Sequence, residues 1–126
     1  MKLNELDKNL LYYLASPYSH KNTNIKNNRY NAVLYKAIDL TIAGYIVISP
    51  IVHSHPMAER GKLPGSFDFW QRIDETLILR CDAVLVYMLN GWQESVGVTH
   101  EILFAEQNNK PVFYLDAYED GRPRTT

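Results

Sequence analysis

The sequence contains only one cysteine, Cys81, so no disulfide bond can form within the chain. That cysteine count fits a reducing compartment, and we expect a cytoplasmic protein. No apolar run approaches the roughly 20 residues that a membrane-spanning helix needs, so we expect no membrane partner. The segment 1–16 contains acidic side chains and no cleavage-site pattern, which argues against a signal peptide.

An excess of charge of one sign is also lacking. The 13 lysines and arginines and the 14 aspartates and glutamates leave a formal net charge of −1. This balance does not favour binding to a polyanion, so we predict no nucleic-acid partner. The 126 residues suffice for one hydrophobic core and leave no room for a second. We therefore predict one domain, 1–126, whose final segment, 116–126, is a polar tail.

Short apolar runs alternate with segments of helical periodicity. The runs predict strands at Leu10 to Ala15, Tyr45 to Ser49, Ala83 to Leu89 and Pro111 to Leu115. Helices are predicted at Asn28 to Ala43, Phe67 to Arg80 and Val96 to Gln107. The strands are continuously apolar, as expected when both faces of a sheet are covered. The alternation predicts an α/β fold: a single-domain, doubly wound sheet of four to five mainly parallel strands flanked by helices, Rossmann-like or flavodoxin-like.

Two long loops are predicted, from Ser16 to Asn27 and from Pro50 to Ser66; the second is rich in proline, glycine and histidine. Each follows a strand, so both are expected at the carboxyl edge of the sheet, where open α/β folds bind ligands. The second loop contains His53 and His55. This pair is open to three interpretations: ligand contact, a structural role in the loop, or, less favoured, metal binding.

Two carboxylates occupy the apolar sides of predicted helices. On a helical wheel Glu101 falls near the middle of the apolar side of 96–107, and Asp74 falls among the apolar residues of 67–81. A carboxylate in such a place is costly unless it is paired or faces a cleft. Either both line a cleft that shifts their pKa values, or each binds a nearby amide or an arginine such as Arg29 or Arg72.

The turn from Ser95 to Gly97 opens the helix that carries Glu101. A serine cap followed by glycine leaves backbone N–H groups available to an anion such as phosphate. Serine caps are common, so this signal is weak by itself. Trp92, a few residues earlier, either stacks on a ligand base or packs against a neighbouring subunit.

Several stretches together resemble the nucleoside 2-deoxyribosyltransferase superfamily. They read YLASPYS, GYIVISPIVHSHP, WQRIDETLILRCDAVLVYML and GWQESVGVTHEILFA. The nearest likeness is to a small branch found in bacteria and phages, and it extends from about Tyr12 to Leu115. The more specific parts are the Ser-x-Gly-x-x-x-Glu element, formed by Ser95, Gly97 and Glu101, and the Asp-x7-Asp spacing that precedes it.

The resemblance implies an enzyme that cleaves the N-glycosidic bond of a deoxynucleoside or nucleotide. In that family a glutamate at the position of Glu101 attacks C1′, an aspartate at the position of Asp74 binds the sugar and protonates the base, and a tyrosine at the position of Tyr13 positions the nucleophile. The predicted substrate-binding residues are Ser16, Ser19, Arg29, His53, His55, Trp92, Ser95 and Gly97. Among them, the resemblance implies that Ser95 and the first loop hold the 5′-phosphate, as in the family members that hydrolyse nucleotides. Neither a cofactor nor a metal is implied. A homodimer or larger homo-oligomer is implied, because a neighbouring chain often completes such sites.

The sequence also departs from that family. The first loop lacks the glycine-rich run that holds a 5′-phosphate, and residues 89–92 enlarge the loop before Ser95. Two alternatives therefore accompany the enzyme hypothesis: a non-catalytic module that binds or senses a nucleotide derivative, and a non-catalytic assembly or phage accessory protein.

Overall fold

A computed structural model describes residues 5–117 and shows a four-stranded parallel sheet flanked by helices. The strands are β1 (Leu11–Ala15), β2 (Ile46–Ile48), β3 (Ala83–Met88) and β4 (Val112–Asp116). The helices are α1 (Thr23–Ile42), α2 (Pro50–Gly61), α3 (Phe67–Arg80) and α4 (Val96–Gln107). The predicted α/β fold is confirmed as Rossmann-like or flavodoxin-like. Of the predicted tail, residues 118–126 lie outside the described residues.

The strand order, β2-β1-β3-β4, fixes where a ligand site can lie. From β1 the chain passes through α1 to β2, on one side of β1. It then crosses through α2 and α3 to β3, which pairs with the other side of β1. The strand order therefore reverses between β1 and β3. The crevice at the carboxyl ends of these two strands is where open α/β sheets bind ligands.

The two faces of the sheet have separate cores. Tyr12 and Leu14 of β1 pack into one cluster with Val33 and Leu40 of α1. The alternate residues of β1 pack into the other cluster, which also contains Ile78 of α3 and Val98 and Ala105 of α4. As a result, α1 covers one face, and α3 and α4 cover the other. Tyr13 points to the second face.

The first helix begins earlier than its apolar periodicity predicts. It starts at Thr23 instead of Asn28, because the side chain of Asn22 caps it and accepts hydrogen bonds from the amides of Asn24 (2.8 Å) and Ile25 (3.3 Å). The first loop is correspondingly shorter, 16–22. The helix ends as predicted next to Gly44, whose φ of 96° is one that glycine adopts readily.

The prediction of a loop from Pro50 to Ser66 is wrong for most of its length, because residues 50–61 form α2. The Ser49 side chain caps this helix by accepting from the Val52 amide at 3.2 Å, and Pro50 stands in the first turn, where the missing N–H costs nothing. Pro56 stands inside the helix, where it removes one backbone hydrogen bond. Of the prolines that indicated a loop, Pro50 therefore favours the start of the helix and Pro56 is tolerated inside it.

Candidate active site

A cleft of about 840 Å³ opens at the carboxyl edge of the sheet. It is bounded by the segment after β1, by α1 and α2 on one side, and by α3 and the start of α4 on the other. Its size is that of an ordinary small-molecule site. The predicted site residues that line it are Ser16, Ser19, Arg29, His55, Asp74, Ser95, Gly97 and Glu101.

Glu101 is the buried acid of the cleft, with only 8% of its surface exposed. It lies in the second turn of α4, between the buried residues Val98 and Ala105, so the predicted apolar placement is confirmed. The Tyr13 hydroxyl, from the centre of β1, donates a hydrogen bond to Oε2 of Glu101. The strand and the helix therefore fix this carboxyl group from both sides, and Oε1 is the oxygen without the tyrosine contact.

Burial also determines the charge of Glu101. It raises the pKa of this carboxyl from 4.5 to about 8; the hydrogen bond from Tyr13 lowers the pKa and the negative charge of nearby Asp74 raises it. Burial, followed by the charges of Glu101 and Asp74, raises the pKa of the Tyr13 phenol well above 10.0. Near pH 7 Glu101 of the ligand-free protein is therefore mainly protonated, and Tyr13 is a hydrogen-bond donor.

Asp74 faces the same cleft from α3 and is half-buried. Burial raises the pKa of this carboxyl from 3.8 to about 6. Within residues 5–117, the side chain of Asp74 has no ion-pair or hydrogen-bond partner. Among the described residues, neither Arg29 nor Arg72 forms an ion pair with Asp74 or Glu101, so the alternative in which an arginine neutralises these carboxylates is wrong. Arg29 donates a hydrogen bond to the backbone oxygen of Ser19 instead. Such an acid is free to exchange a proton with a ligand.

The start of α4 has the capping geometry that its sequence predicts. Ser95 is the N-cap, and its Oγ accepts from the Val98 amide at 3.1 Å. The amides of Val96 and Gly97 precede that bond and have no acceptor within the helix. A methyl group at Gly97 would meet only Ser95 Oγ, at 3.9 Å, so the ligand-free fold does not itself require glycine there. Ser95, Val96 and Gly97 all line the cleft.

Ser16 directly follows β1 and has a buried hydroxyl without a partner. Only 5% of this residue is exposed, and within the described part of the chain nothing hydrogen-bonds its Oγ. A buried polar atom left unpaired costs about 1–3 kcal/mol. Since Ser16 lines the cleft, a polar ligand group would remove that cost.

A single family model covers all of the strands and helices described above. A family model described as a domain of unknown function (DUF1937) matches residues 11–117, which run from the first residue of β1 to the end of β4 and one residue beyond. The chain belongs to this family. The matched DUF1937 segment includes Tyr13, Asp74 and Glu101. No curated protein matches the sequence.

Other predicted ligand residues of the DUF1937 domain lie away from the cleft lining. His53 is exposed, whereas His55 lines the cleft, stacks on Tyr30 with 3.9 Å between ring centroids, and has Nδ1 at 2.5 Å from the Tyr18 hydroxyl. The two histidines separate because residues i and i+2 of a helix point in different directions. Trp92 packs against Tyr114 of its own chain, with ring centroids 5.7 Å apart, and is not among the lining residues.

Sequence reasoning missed several residues that line the cleft. The indole of Trp70 lies in the cleft wall, with Nε1 donating to the Pro64 oxygen at 2.7 Å. Phe67 and Trp70 precede Asp74 by about two turns and one turn, so α3 presents two aromatic rings and an acid to the cleft. The helical spacing of these two aromatic residues from Asp74 was the sequence signal that could have identified them. Ser54 was missed because α2 was not predicted, whereas Tyr18 lies in the first loop, between the predicted residues Ser16 and Ser19.

Two further features concern metals and membranes. Among residues 5–117 no group of three or more histidine, cysteine, aspartate or glutamate side chains is placed to hold a metal ion. In the same range, no helix combines the length and the apolar character needed to cross a membrane.

Proposed function

We propose that this protein cleaves the N-glycosidic bond of a nucleoside or nucleotide, by hydrolysis or by transfer of the sugar, with Glu101 as nucleophile. The observation that carries the proposal is the buried Glu101 carboxyl, held by Tyr13 and facing the same cleft as the unpaired acid Asp74. Perturbed acids of this kind mark catalytic sites. The family resemblance assigns the nucleophile to the same glutamate.

The reaction proceeds in two steps. Oε1 of ionised Glu101 forms a bond to C1′ while the C1′–N bond breaks, and its electron pair passes to the nitrogen of the base. Protonated Asp74 supplies the proton that makes the base a competent leaving group. Water or a second base then attacks C1′ while the C1′–Oε1 bond breaks, which frees Glu101 as a carboxylate. The proton of the attacking water or base passes to Asp74, which the first step left ionised. Trp70 and Phe67 supply aromatic surface on which a flat base packs.

A binding module is the second candidate, and one observation favours it. With a pKa raised to about 8 by burial, Glu101 of the ligand-free protein is mainly neutral at pH 7, and a neutral carboxylic acid donates a hydrogen bond better than it attacks carbon. A protein that only binds or senses a nucleotide derivative would need such a hydrogen-bond donor in its cleft and no nucleophile.

Release of free base from a panel of deoxynucleosides and their phosphates distinguishes the two functions. We expect the wild-type protein to release base from at least one member and Glu101→Gln to release it several orders of magnitude more slowly. Glu106→Gln is the matched control, because Glu106 is an exposed residue of the same helix. Tight binding of a panel member without release by the wild type would support the binding module instead.

We also propose that the protein forms a homodimer or larger homo-oligomer through α3 and α4. Large apolar side chains of both helices are exposed in the single chain: Phe67, Phe69, Ile73, Leu79, Val96 and Leu103. Exposed apolar side chains in such number are typical of protein interfaces. Because Phe67 and Val96 also line the cleft, a second chain seated there would complete its wall.

A further inference from the structure

Two cationic side chains lie one turn apart on the side of α1 that faces the cleft. Lys26 and Arg29 both line it, three residues apart. Arg29 donates through Nη1 to the backbone oxygen of Ser19 at 2.9 Å, and no carboxylate of residues 5–117 forms an ion pair with it. A guanidinium has five N–H donors, so Arg29 keeps donors for a ligand.

The loop before α4 makes room for this guanidinium. A methyl group added to Gly91 would stand 2.4 Å from Nη2 of Arg29, so the arginine lies directly against the loop that leads to Ser95. Arg29 therefore borders this loop, and Lys26 lies one turn before it on α1. Because Lys26, Arg29 and Ser95 all line the same cleft, an anion bound at the Ser95 turn and a second anion bound by α1 would share it.

Two buried hydroxyls without partners belong to residues that line the cleft. Oγ of Ser16 and Oγ of Ser54 are both inaccessible to solvent and unbonded among the described residues, and both residues line the cleft. Ser16 follows β1 and Ser54 belongs to α2, so the two lie on separate elements. Hydroxyls donate well to phosphate oxygens, and a bound phosphate would remove the cost of leaving them unpaired.

The remaining charges of this wall do not cancel the two cations. Glu59 of α2 lies 3.8 Å from Lys26, a weak contact between partly exposed groups. Burial lowers the pKa of His55, so this ring adds no positive charge near neutral pH; it is also contacted by the Tyr18 hydroxyl. On α1 and α2 the two cations outnumber Glu59, and Arg29 is the unpaired charge. Glu94, in the loop before α4, also lines the cleft but forms no ion pair with Arg29 or Lys26.

We propose that the wall formed by Ser16, Lys26, Arg29 and Ser54 is a second anion subsite, next to the Ser95 turn, and that the substrate is a nucleoside 5′-diphosphate or an ester of one. The first phosphate lies at the Ser95 turn and the second against Arg29. This inference rests on the proposed function for the nucleoside part of the ligand. The subsite itself is defined by charge and unpaired donors.

Binding of pyrophosphate and orthophosphate, measured by calorimetry at one ionic strength, tests the subsite without any turnover. We expect the wild-type protein to bind pyrophosphate at least tenfold more tightly than orthophosphate. Arg29→Met and Lys26→Met should each weaken pyrophosphate binding by about tenfold or more, since each removes a charged donor. Arg60→Met is the matched control, because Arg60 is an exposed residue of α2 outside the lining of the cleft.

Ser54→Ala keeps the test valid if a charge variant folds poorly. Removing a hydroxyl that has no partner should not lower the melting temperature of the free protein, yet it should weaken pyrophosphate binding severalfold. Equal affinity for the two anions, or an equal loss of pyrophosphate binding in Arg60→Met and Arg29→Met, would overturn the subsite. Base release is assayed separately, so a chain that binds pyrophosphate as described but turns over no N-glycoside would overturn the proposed function and leave the subsite standing.

Discussion

The hydroxyl of Tyr13 donates a hydrogen bond to the carboxyl group of Glu101 and so joins the central strand β1 to helix α4. Both residues are buried, and the carboxyl has no ion-pair partner among the described residues. The tyrosine is thus the polar group that favours the ionised form of Glu101, against burial and the charge of Asp74.

The pH dependence of kcat/KM should be bell-shaped, with limbs near pH 6 and pH 8. Burial raises the pKa of Asp74 to about 6 and that of Glu101 to about 8, so between these values the pair holds one proton. In the reactive form that proton is on Asp74, whereas in the more populated form it is on Glu101, the acid with the higher pKa. Below the window both acids are neutral, and above it neither can protonate the base. A profile that is flat from pH 5 to pH 9 would contradict these assignments.

Tyr13→Phe should move the basic limb of that profile to higher pH. Loss of the hydrogen bond removes an interaction that lowers the pKa of Glu101, so fewer molecules carry the proton on Asp74 and the plateau falls by roughly tenfold or more.

Tyr12→Phe is the control for this variant. Its hydroxyl donates to the Asp7 carbonyl at 2.7 Å, and the side chain packs on the opposite face of the sheet. Both variants lose one hydrogen bond, but only Tyr13→Phe should change the pH profile. Equal pH profiles in the two variants would assign Tyr13 a purely structural role.

Glu101→Gln should be more stable than the wild type at pH 9 and nearly equal to it at pH 5. The pKa of Glu101 is about 8 in the folded protein and near 4.5 in the unfolded chain. The folded state therefore binds a proton that the unfolded state releases between these values, and the free energy of unfolding falls as pH rises through them. Glutamine does not titrate, so Glu101→Gln avoids this loss of stability, which is on the order of a few kcal/mol.

Urea denaturation at the two pH values measures the difference, with Glu106→Gln as the control on the exposed side of the same helix. A difference between Glu101→Gln and wild type that does not change from pH 5 to pH 9 would show that Glu101 does not titrate as described.

Assembly is tested by sedimentation at tens of micromolar, where we expect a homodimer or larger species. Leu103→Glu, on an exposed position of α4, should shift the population to monomer because it places a charge in the apolar interface. Glu106→Lys changes charge on the same helix outside that apolar set and is the control. A wild-type protein that sediments as a monomer would contradict the oligomer proposal.

The fold and the acids were predictable because apolar periodicity encodes them. Continuous apolar runs gave the strands, and the helical wheel placed Glu101 on the buried side of α4 and Asp74 beside it on α3. A carboxylate at an apolar position stands out in any sequence. Its partner Tyr13 could be assigned only through the family resemblance, since a tyrosine in a strand is unremarkable.

The side of the cleft that α2 forms was not predictable in the same way. Pro50, Pro56 and Gly61 indicated a loop, and only the cap from Ser49 and the packing of Ile51 and Val52 on the core show why a helix forms there. Ser54 and His55 reach the cleft through that helix. The position of Trp92 was also hidden, because its contact with Tyr114 joins distant parts of the chain.

The most direct test of the central claim is mass spectrometry of the Glu101 peptide after incubation with a 2-fluoro-2-deoxy sugar substrate, as nucleoside and as its 5′-phosphates. Fluorine slows both steps, so the glycosyl ester should accumulate. We expect the wild-type peptide that contains Glu101 to gain the mass of the fluorinated sugar, and Glu101→Gln to gain nothing. Turnover of an N-glycoside with no sugar on that peptide, or equal labelling of Glu101→Gln, would contradict the assignment of Glu101 as the nucleophile.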